Sequence, residues 1–340
     1  MRLASLLFLS AATLAGCATT PAPQATAPVA AAAAAPAALA APAAPASTAP
    51  APISMEALLA KQIYQMTPQE VDRYIAWVHQ AEPDLRKRIA AIGRKNIGQP
   101  YSLNLLGEYP FQLHDNLPMF SLDHSDCVVF SEHTYAMALS ESWEEFFWML
   151  QRIRYKDGVV GVATRNHYTE VDWDINNRWL VTDISAELAG PGGPAYPLTV
   201  DRSNFLRVRH HTDTSLPLQT TAQAYVPKGR VAAIAAQLQD GDFVNVISTK
   251  DGAFWASHVG LVVTAPNGER HFLNSIEPAV REETFDAFIA RATEREERNA
   301  KAGRNVQKLV GFKFLRLNEN IVVPPASPQP RPVKRVAAAP

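Results

Sequence analysis

The stretch that decides the fold is Asp123-His124-Ser125-Asp126-Cys127-Val128-Val129-Phe130-Ser131-Glu132. Ser125 and Asp126 are good N-cap residues, and a largely apolar run follows them from Val128 to Leu139. Because this run has apolar residues on every side of the helical wheel, it predicts a buried central helix. Cys127 would begin that helix, where unpaired backbone N–H groups and the helix dipole favour a thiolate. The alternative is a small, inert core cysteine.

The N-terminus indicates export. Arg2 precedes an apolar segment from Leu3 to Leu14, which has the length of a signal peptide and is too short to span a bilayer. It ends in Leu14-Ala15-Gly16-Cys17, which resembles the lipobox of bacterial lipoproteins. The resemblance implies that residues 1–16 are removed and that Cys17 is lipidated; an ordinary secretory signal is the alternative. Ala18 implies sorting to the outer membrane, facing the periplasm.

Composition limits the partners. The chain has two cysteines, so lipidation of Cys17 leaves Cys127 without a disulfide partner in an oxidising compartment, which favours a reactive or a fully buried thiol. The formal net charge of −1 gives no indication of a nucleic-acid partner. We expect a monomer without cofactor, whose lipid is its only contact with the membrane.

The domain organisation follows composition and helix signals. Residues 17–54 are an Ala/Pro-rich tether, 55–97 an N-terminal helical cap, 98–319 the catalytic domain, and 320–340 a Pro-rich tail that we expect to be disordered. In the cap, Thr67-Pro68-Gln69-Glu70 is a capping box. After the central helix come predicted strands at 204–208, 243–247, 257–263, 271–276 and 311–317, of which the third and fourth form a hairpin around Pro266. This order predicts an α+β domain with a mainly antiparallel sheet.

Among nine histidines, His258 is selected by position, because it begins a predicted strand directly after the turn at Asp240-Gly241-Asp242 and a further strand. With the hairpin loop centred on Pro266, His258 lies opposite Asn274 and shares its face. A one-residue slip would bring Ser275 to that face instead. A histidine satisfied by structural hydrogen bonds is an equally good interpretation.

Asp-Cys on a helix, Gly-Asp before a strand, His-Val-Gly and then Phe-Leu-Asn resemble the papain-like cell-wall cysteine hydrolases of the NlpC type. The resemblance implies a papain-like fold in which Cys127, His258 and Asn274 form the catalytic triad. Gly98-Gln99-Pro100-Tyr101 resembles a segment whose tyrosine lines the active site, which makes Tyr101 a candidate oxyanion donor.

A closer resemblance is to the N-acetylmuramoyl-L-alanine amidase-like family of bacterial envelope proteins. It rests on the segments around Cys127, on 153–158 and 165–168, and on Asp172, Trp173 and Asn176. Candidate substrate- or oxyanion-binding residues besides Tyr101 are Asp126, Arg165, His167, Asp172 and Trp173. Arg165 and Trp173 suit contact with a sugar or a peptide carboxylate, although salt bridges that anchor a loop suit this cluster equally well.

The resemblance implies a lipid-anchored peptidoglycan hydrolase that cleaves the amide between N-acetylmuramic acid and L-alanine. Alternatives are a stem-peptide endopeptidase, whose typical Asp-Cys-Ser-Gly is not matched by Val128 and Val129, and a non-catalytic wall-binding lipoprotein. Zinc is a rival chemistry because Asp123, His124, Asp126 and Cys127 are all possible ligands. Residues so close in sequence rarely converge on one ion, so we predict no metal.

Overall fold

A seven-stranded antiparallel sheet organises the chain, for which a computed structural model describes residues 53–333. The predicted signal peptide, the lipidation of Cys17 and all but the last two residues of the tether lie outside the described residues. Across 53–333 no helix has the length and apolar character needed to traverse a bilayer. The mixed α+β class with an antiparallel sheet, predicted from the order of elements, is confirmed.

The first five α-helices of the described residues are α1 Met55–Ala60, α2 Pro68–Ala81, α3 Leu85–Arg94, α4 Cys127–Ala138 and α5 Trp143–Arg154. The predicted capping box begins α2, since Thr67 accepts a hydrogen bond from the N–H of Glu70 and the Glu70 carboxylate accepts one from the N–H of Thr67. Helix α4 begins at Cys127 as predicted. Its side chains are buried on all sides from Val129 onward, so α4 is the central helix.

The strands of the main sheet follow the order β1-β9-β5-β6-β7-β8, with β4 also paired to β9. Their bounds are β1 Val181–Asp183, β4 Val226–Pro227, β5 Phe243–Lys250, β6 Ala253–Thr264, β7 Arg270–Ile276, β8 Ala279–Thr284 and β9 Lys308–Leu317. A separate pair comprises β2 Ala195–Val200 and β3 Gln219–Ala224. The remaining helices are α6 Asp174–Asn176, α7 Ser185–Ala189, α8 Arg202–His210, α9 Val231–Ile234 and α10 Phe285–Lys301, and a π-helical turn, Thr169–Trp173, precedes α6.

Helices cover both faces of the sheet. Val259, Leu261 and Leu273 pack into one apolar cluster with α2 to α5. The alternate residues Val262 and Phe272 pack into a second cluster, which contains α10. The β6–β7 ladder is therefore packed against apolar side chains on both faces.

Two predictions for the peripheral segments were wrong. Residues 204–208, predicted as a strand, lie in α8, because Asp201 caps this helix by accepting the N–H of Asn204 at 2.8 Å. The tail predicted to be disordered contacts the domain within its described part: Gln329 accepts the N–H of Val160 at 3.0 Å and donates to the carbonyl of Gly158 at 2.7 Å.

Candidate active site

Cys127 stands where α4 meets the edge of the β6–β7 ladder. That ladder pairs only Leu261–Thr264 of β6 with β7. Beyond its end, the backbone N–H of Val259 makes a hydrogen bond to the Cys127 sulfur. Val259 directly follows His258, so the candidate nucleophile and the backbone of the candidate base are neighbours although the two residues are distant in sequence.

The expectation of a stabilised thiolate at Cys127 was wrong for the free protein. Burial raises the pKa of Cys127 to about 12, and the adjacent Asp126 carboxyl raises it further. The backbone N–H groups of Val259 and Val128 oppose the shift without overcoming it. Cys127 is therefore a neutral thiol at neutral pH and needs a base at the moment of attack.

This protonation state has a direct consequence for alkylation. Iodoacetamide should modify Cys127 slowly at pH 8, with a rate that still rises between pH 8 and pH 10, because the thiolate is the nucleophile. Mass spectrometry of the Cys127 peptide over a pH series measures this rate, with free cysteine as the reference. Rapid labelling that levels off below pH 8 would contradict the raised pKa.

His258 and Asn274 meet on one face of the sheet. Nε2 of His258 lies 3.0 Å from Oδ1 of Asn274. Burial lowers the pKa of His258 to about 4, against the effect of the Asn274 hydrogen bond. The imidazole is therefore neutral at pH 7, and because Nε2 is bound to Asn274, Nδ1 is the nitrogen left to accept a proton.

The predicted register of this hairpin was wrong by two residues. Pro266, Asn267 and Gly268 form a turn that pairs Ala265 with Glu269, and the ladder consequently places Gly260, rather than His258, opposite Asn274. The shift is even, so His258 still shares the face of Asn274. A Cβ at residue 260 would lie 2.6 Å from the Phe272 ring and 2.9 Å from the Asn274 Cβ, so only glycine allows this approach.

Tyr101 lies near enough to Cys127 to feel its charge, and its role as an oxyanion donor stays a prediction. Burial raises the pKa of its hydroxyl to about 12, and the nearby Cys127 adds to the shift. The Tyr101 segment runs alongside Ser125, in the loop that leads into α4. Ser275 ties that loop to β7, since its hydroxyl lies 2.9 Å from the Ser125 hydroxyl. The alternative hairpin register had pointed to Ser275 as a neighbour of His258, but it did not predict the contact with Ser125.

Two candidate substrate contacts form hydrogen bonds within the protein. Asp126 caps α4, accepting the N–H groups of Val128 at 2.9 Å and Val129 at 2.8 Å. Trp173 is 1% exposed, stacks on Phe243, and donates its indole N–H to Glu132 at 3.1 Å. The buried Trp173 is therefore closed to a ligand, whereas the half-buried Asp126, which uses Oδ1 for both capping bonds, stays a candidate contact.

Arg165, His167 and Asp172 form a second group, which lines a shallow pocket with Lys156, Asn176 and Arg202. Arg165 pairs with Glu108 at 3.1 Å and with Asp115 at 3.0 Å, and Asp172 pairs with Arg202 at 2.7 Å. Burial and the charge of Arg165 lower the pKa of His167 to about 3. The lining carries three cations, Lys156, Arg165 and Arg202, against one carboxylate, Asp172, so its net charge is positive and suits an anionic ligand.

The groups considered for zinc are engaged separately. His124 Nδ1 lies 3.2 Å from Asp123 Oδ2, whereas Asp126 caps α4. Within residues 53–333, no three His, Cys, Asp or Glu side chains are grouped so as to hold a metal ion. Glu132 and His133, buried in α4, bond to Trp173 and to the Val129 carbonyl, which fits a structural role.

Comparisons with known proteins identify a family and a fold. The model of the AmiA-like, N-acetylmuramoyl-L-alanine amidase-like family matches residues 91–293. A crystal structure from Legionella pneumophila str. Philadelphia 1, described under the DUF1460 family, has a TM-score of 0.60 and 18% identity over 75% of this chain and 95% of its own. An N-acetylmuramoyl-L-alanine amidase from Bacteroides uniformis has a TM-score of 0.52 and 20% identity over 69% and 99%. At these identities the likeness establishes the fold alone. No curated protein matched the sequence.

Proposed function

Because the chain belongs to the AmiA-like, N-acetylmuramoyl-L-alanine amidase-like family, we propose that it is a cysteine hydrolase cleaving the amide between N-acetylmuramic acid and L-alanine in peptidoglycan or muropeptides. The observation that most strongly supports this proposal is the position of the Cys127 sulfur. It lies at the N-terminus of a buried helix and accepts a hydrogen bond from the backbone N–H of the residue after His258. The His258–Asn274 contact at 3.0 Å also supports this proposal, because a papain-like site of the NlpC type needs a base held by a polar side chain.

The mechanism starts from two neutral groups. Nδ1 of His258 accepts the thiol proton as the Cys127 sulfur attacks the carbonyl carbon of the lactyl amide. The Tyr101 hydroxyl and the backbone N–H of Cys127 donate hydrogen bonds to the developing oxyanion in this proposal. His258 then protonates the departing amine of L-alanine, leaving a thioester on Cys127. Water, deprotonated by His258, hydrolyses the thioester and restores the thiol.

The second pocket is proposed as a subsite for a carboxylate of the substrate. Arg165 and Arg202 already hold carboxylates of the protein, whereas Lys156 forms no ion pair within residues 53–333. Its exposed ammonium can therefore meet a ligand carboxylate without breaking an internal pair.

Lys156→Ala should raise KM about tenfold for a substrate that carries a free stem-peptide carboxylate, with kcat little changed, because a charge-assisted hydrogen bond is lost. Lys301→Ala, at the end of α10, is the matched control. The same substrate with its carboxylates amidated should not distinguish the Lys156 variant from the parent. An equal loss on both substrates would assign Lys156 another role.

The reaction itself is tested with defined muropeptides and mass spectrometry of the products. The proposal requires a free lactyl carboxylate on the muramyl product and a free L-alanine amine on the peptide. Products cut between D-glutamate and the diamino acid would reassign the protein to endopeptidase activity. Binding without any product would favour a non-catalytic wall-binding role.

For location, we propose an outer-membrane lipoprotein that faces the periplasm and acts as a monomer, on the strength of the lipobox-like Leu14-Ala15-Gly16-Cys17 and the following Ala18. The mass of the mature N-terminal peptide tests the anchor. A peptide that begins at Cys17 with added acyl chains supports it, and an unmodified N-terminus contradicts it.

A further inference from the structure

The amide of Asn274 is held at both ends. Its Oδ1 faces Nε2 of His258 at 3.0 Å, and its Nδ2 donates to Glu283 Oε1 at 3.3 Å. Glu283 lies on β8 with its side chain 12% exposed, and it is paired with Arg291 of α10. Three successive contacts, His258 to Asn274, Asn274 to Glu283 and Glu283 to Arg291, therefore lead from the candidate base to a charge pair between β8 and α10.

These contacts close into a ring. The guanidinium of Arg291 lies over the ring of Phe288, 5.3 Å from its centroid. Phe288 in turn lies nearly parallel to the His258 imidazole, at an interplanar angle of 11° and a centroid distance of 5.9 Å. The Arg291 side chain is thus fixed both by the carboxylate and by the aromatic ring that flanks His258.

We propose that Glu283 and Arg291 are positioning residues that fix the amide of Asn274, and through it the tautomer of His258. A carboxylate and a carbonyl oxygen both accept hydrogen bonds, so Glu283, together with the Phe272 carbonyl 3.4 Å from Nδ2, selects the Nδ2 end of Asn274 and turns Oδ1 towards His258. A carbonyl oxygen also only accepts, so Nε2 must carry the proton and Nδ1 keeps its lone pair. The inference rests on the proposed function, in which Nδ1 takes the proton from Cys127.

The charges that act on His258 come from two neighbouring elements. Arg291 and Arg295 on α10 and Arg281 on β8 all disfavour the imidazolium. Glu283 is the carboxylate within this group and acts on His258 through Asn274. Removal of Arg291 should consequently raise the pKa of His258 from about 4 and shift the acid limb of kcat/KM to higher pH.

The decisive experiment uses Glu283→Gln, which keeps the shape but lets residue 283 both donate and accept. The ¹⁵N-edited spectrum of the histidine rings at pH 7, with His258 assigned by loss of its signals in His258→Gln, should show protonation at Nε2 alone in the parent and a mixture of tautomers in the variant. The kcat on muropeptide should fall about tenfold, the equivalent of one charge-assisted hydrogen bond, with KM unchanged.

Glu294→Gln, on the exposed part of α10, is the matched control and should leave both readouts unchanged. Arg291→Ala is the second variant, for the case that Glu283→Gln does not fold; it should give the same tautomer mixture and the shifted acid limb. A parent His258 protonated at Nδ1, or a tautomer unchanged in every folded variant, overturns the inference. If the parent protein has no hydrolytic activity, the proposed function is overturned instead. The tautomer measurement then still decides whether Glu283 and Arg291 position Asn274 and His258.

Discussion

Cys127→Ala should lower hydrolysis of the muramyl–alanine amide by at least about 10⁴-fold, because it removes the thiol that forms the acyl intermediate. Helix α4 should survive the change. Its N-cap is the Asp126 side chain, which the substitution leaves in place, and alanine is well tolerated at the first helical position. The variant should therefore bind muropeptide with the affinity of the parent and release no product.

The measurement is single-turnover hydrolysis followed by mass spectrometry, with the circular dichroism melting curve recorded alongside. Ser131→Ala is the matched control: it lies one turn further along α4 and its hydroxyl bonds only to the Cys127 carbonyl, so its activity should stay within a few-fold of the parent. Undiminished turnover by Cys127→Ala would place the nucleophile elsewhere and remove His258 and Asn274 from the mechanism as well.

The sequence predicted the local features of this site and missed those set by tertiary structure. The start of α4 at Cys127 followed from the capping residue Asp126, because a cap and its helix are adjacent in the chain. The pKa of Cys127 did not follow, because its burial comes from β6 and β7, more than a hundred residues later. A helix N-terminus favours a thiolate only where desolvation does not outweigh it.

The same distinction explains the other errors. Trp173 follows charged residues in the sequence and looked available to a ligand, yet its partners Glu132 and Phe243 come from two distant elements. The hairpin register depended on the turn: Gly268, at φ +83°, takes the left-handed position that extends the loop. His258 and Asn274 nevertheless lie on one face of the sheet, because side chains alternate between the faces along a strand and a register shift of two residues leaves that alternation unchanged.

A buried ion pair outside the candidate active site is expected to have a large effect on the stability of the fold. Lys313 on β9 is 1% exposed and lies 3.2 Å from Asp174 and 3.1 Å from Asp183. Asn245 on β5 also donates to Asp174, at 3.0 Å. Lys313→Met should lower the free energy of unfolding by about 3–5 kcal/mol at pH 8, because it leaves the Asp174 carboxylate buried without its cation.

The sign of the pH dependence identifies the cause. Burial already raises the pKa of Asp174 to about 6 in the presence of Lys313, and removal of the cation raises it further. A carboxyl whose folded pKa exceeds its unfolded pKa destabilises the fold when it ionises, so the deficit of Lys313→Met should be largest at pH 8 and shrink as the pH falls to 5.

Urea unfolding at pH 5 and pH 8 measures the loss of unfolding free energy in Lys313→Met and its dependence on pH. Lys313→Met/Asp174→Asn is the matched double variant. It should recover most of the loss at pH 8, since a neutral amide needs no counter-charge and can still accept from Asn245. A deficit of equal size at both pH values, with no recovery in the double variant, would instead assign the role of Lys313 to the packing of its aliphatic stem between β5 and β9. The pair would then contribute little to the sheet on which His258 is carried.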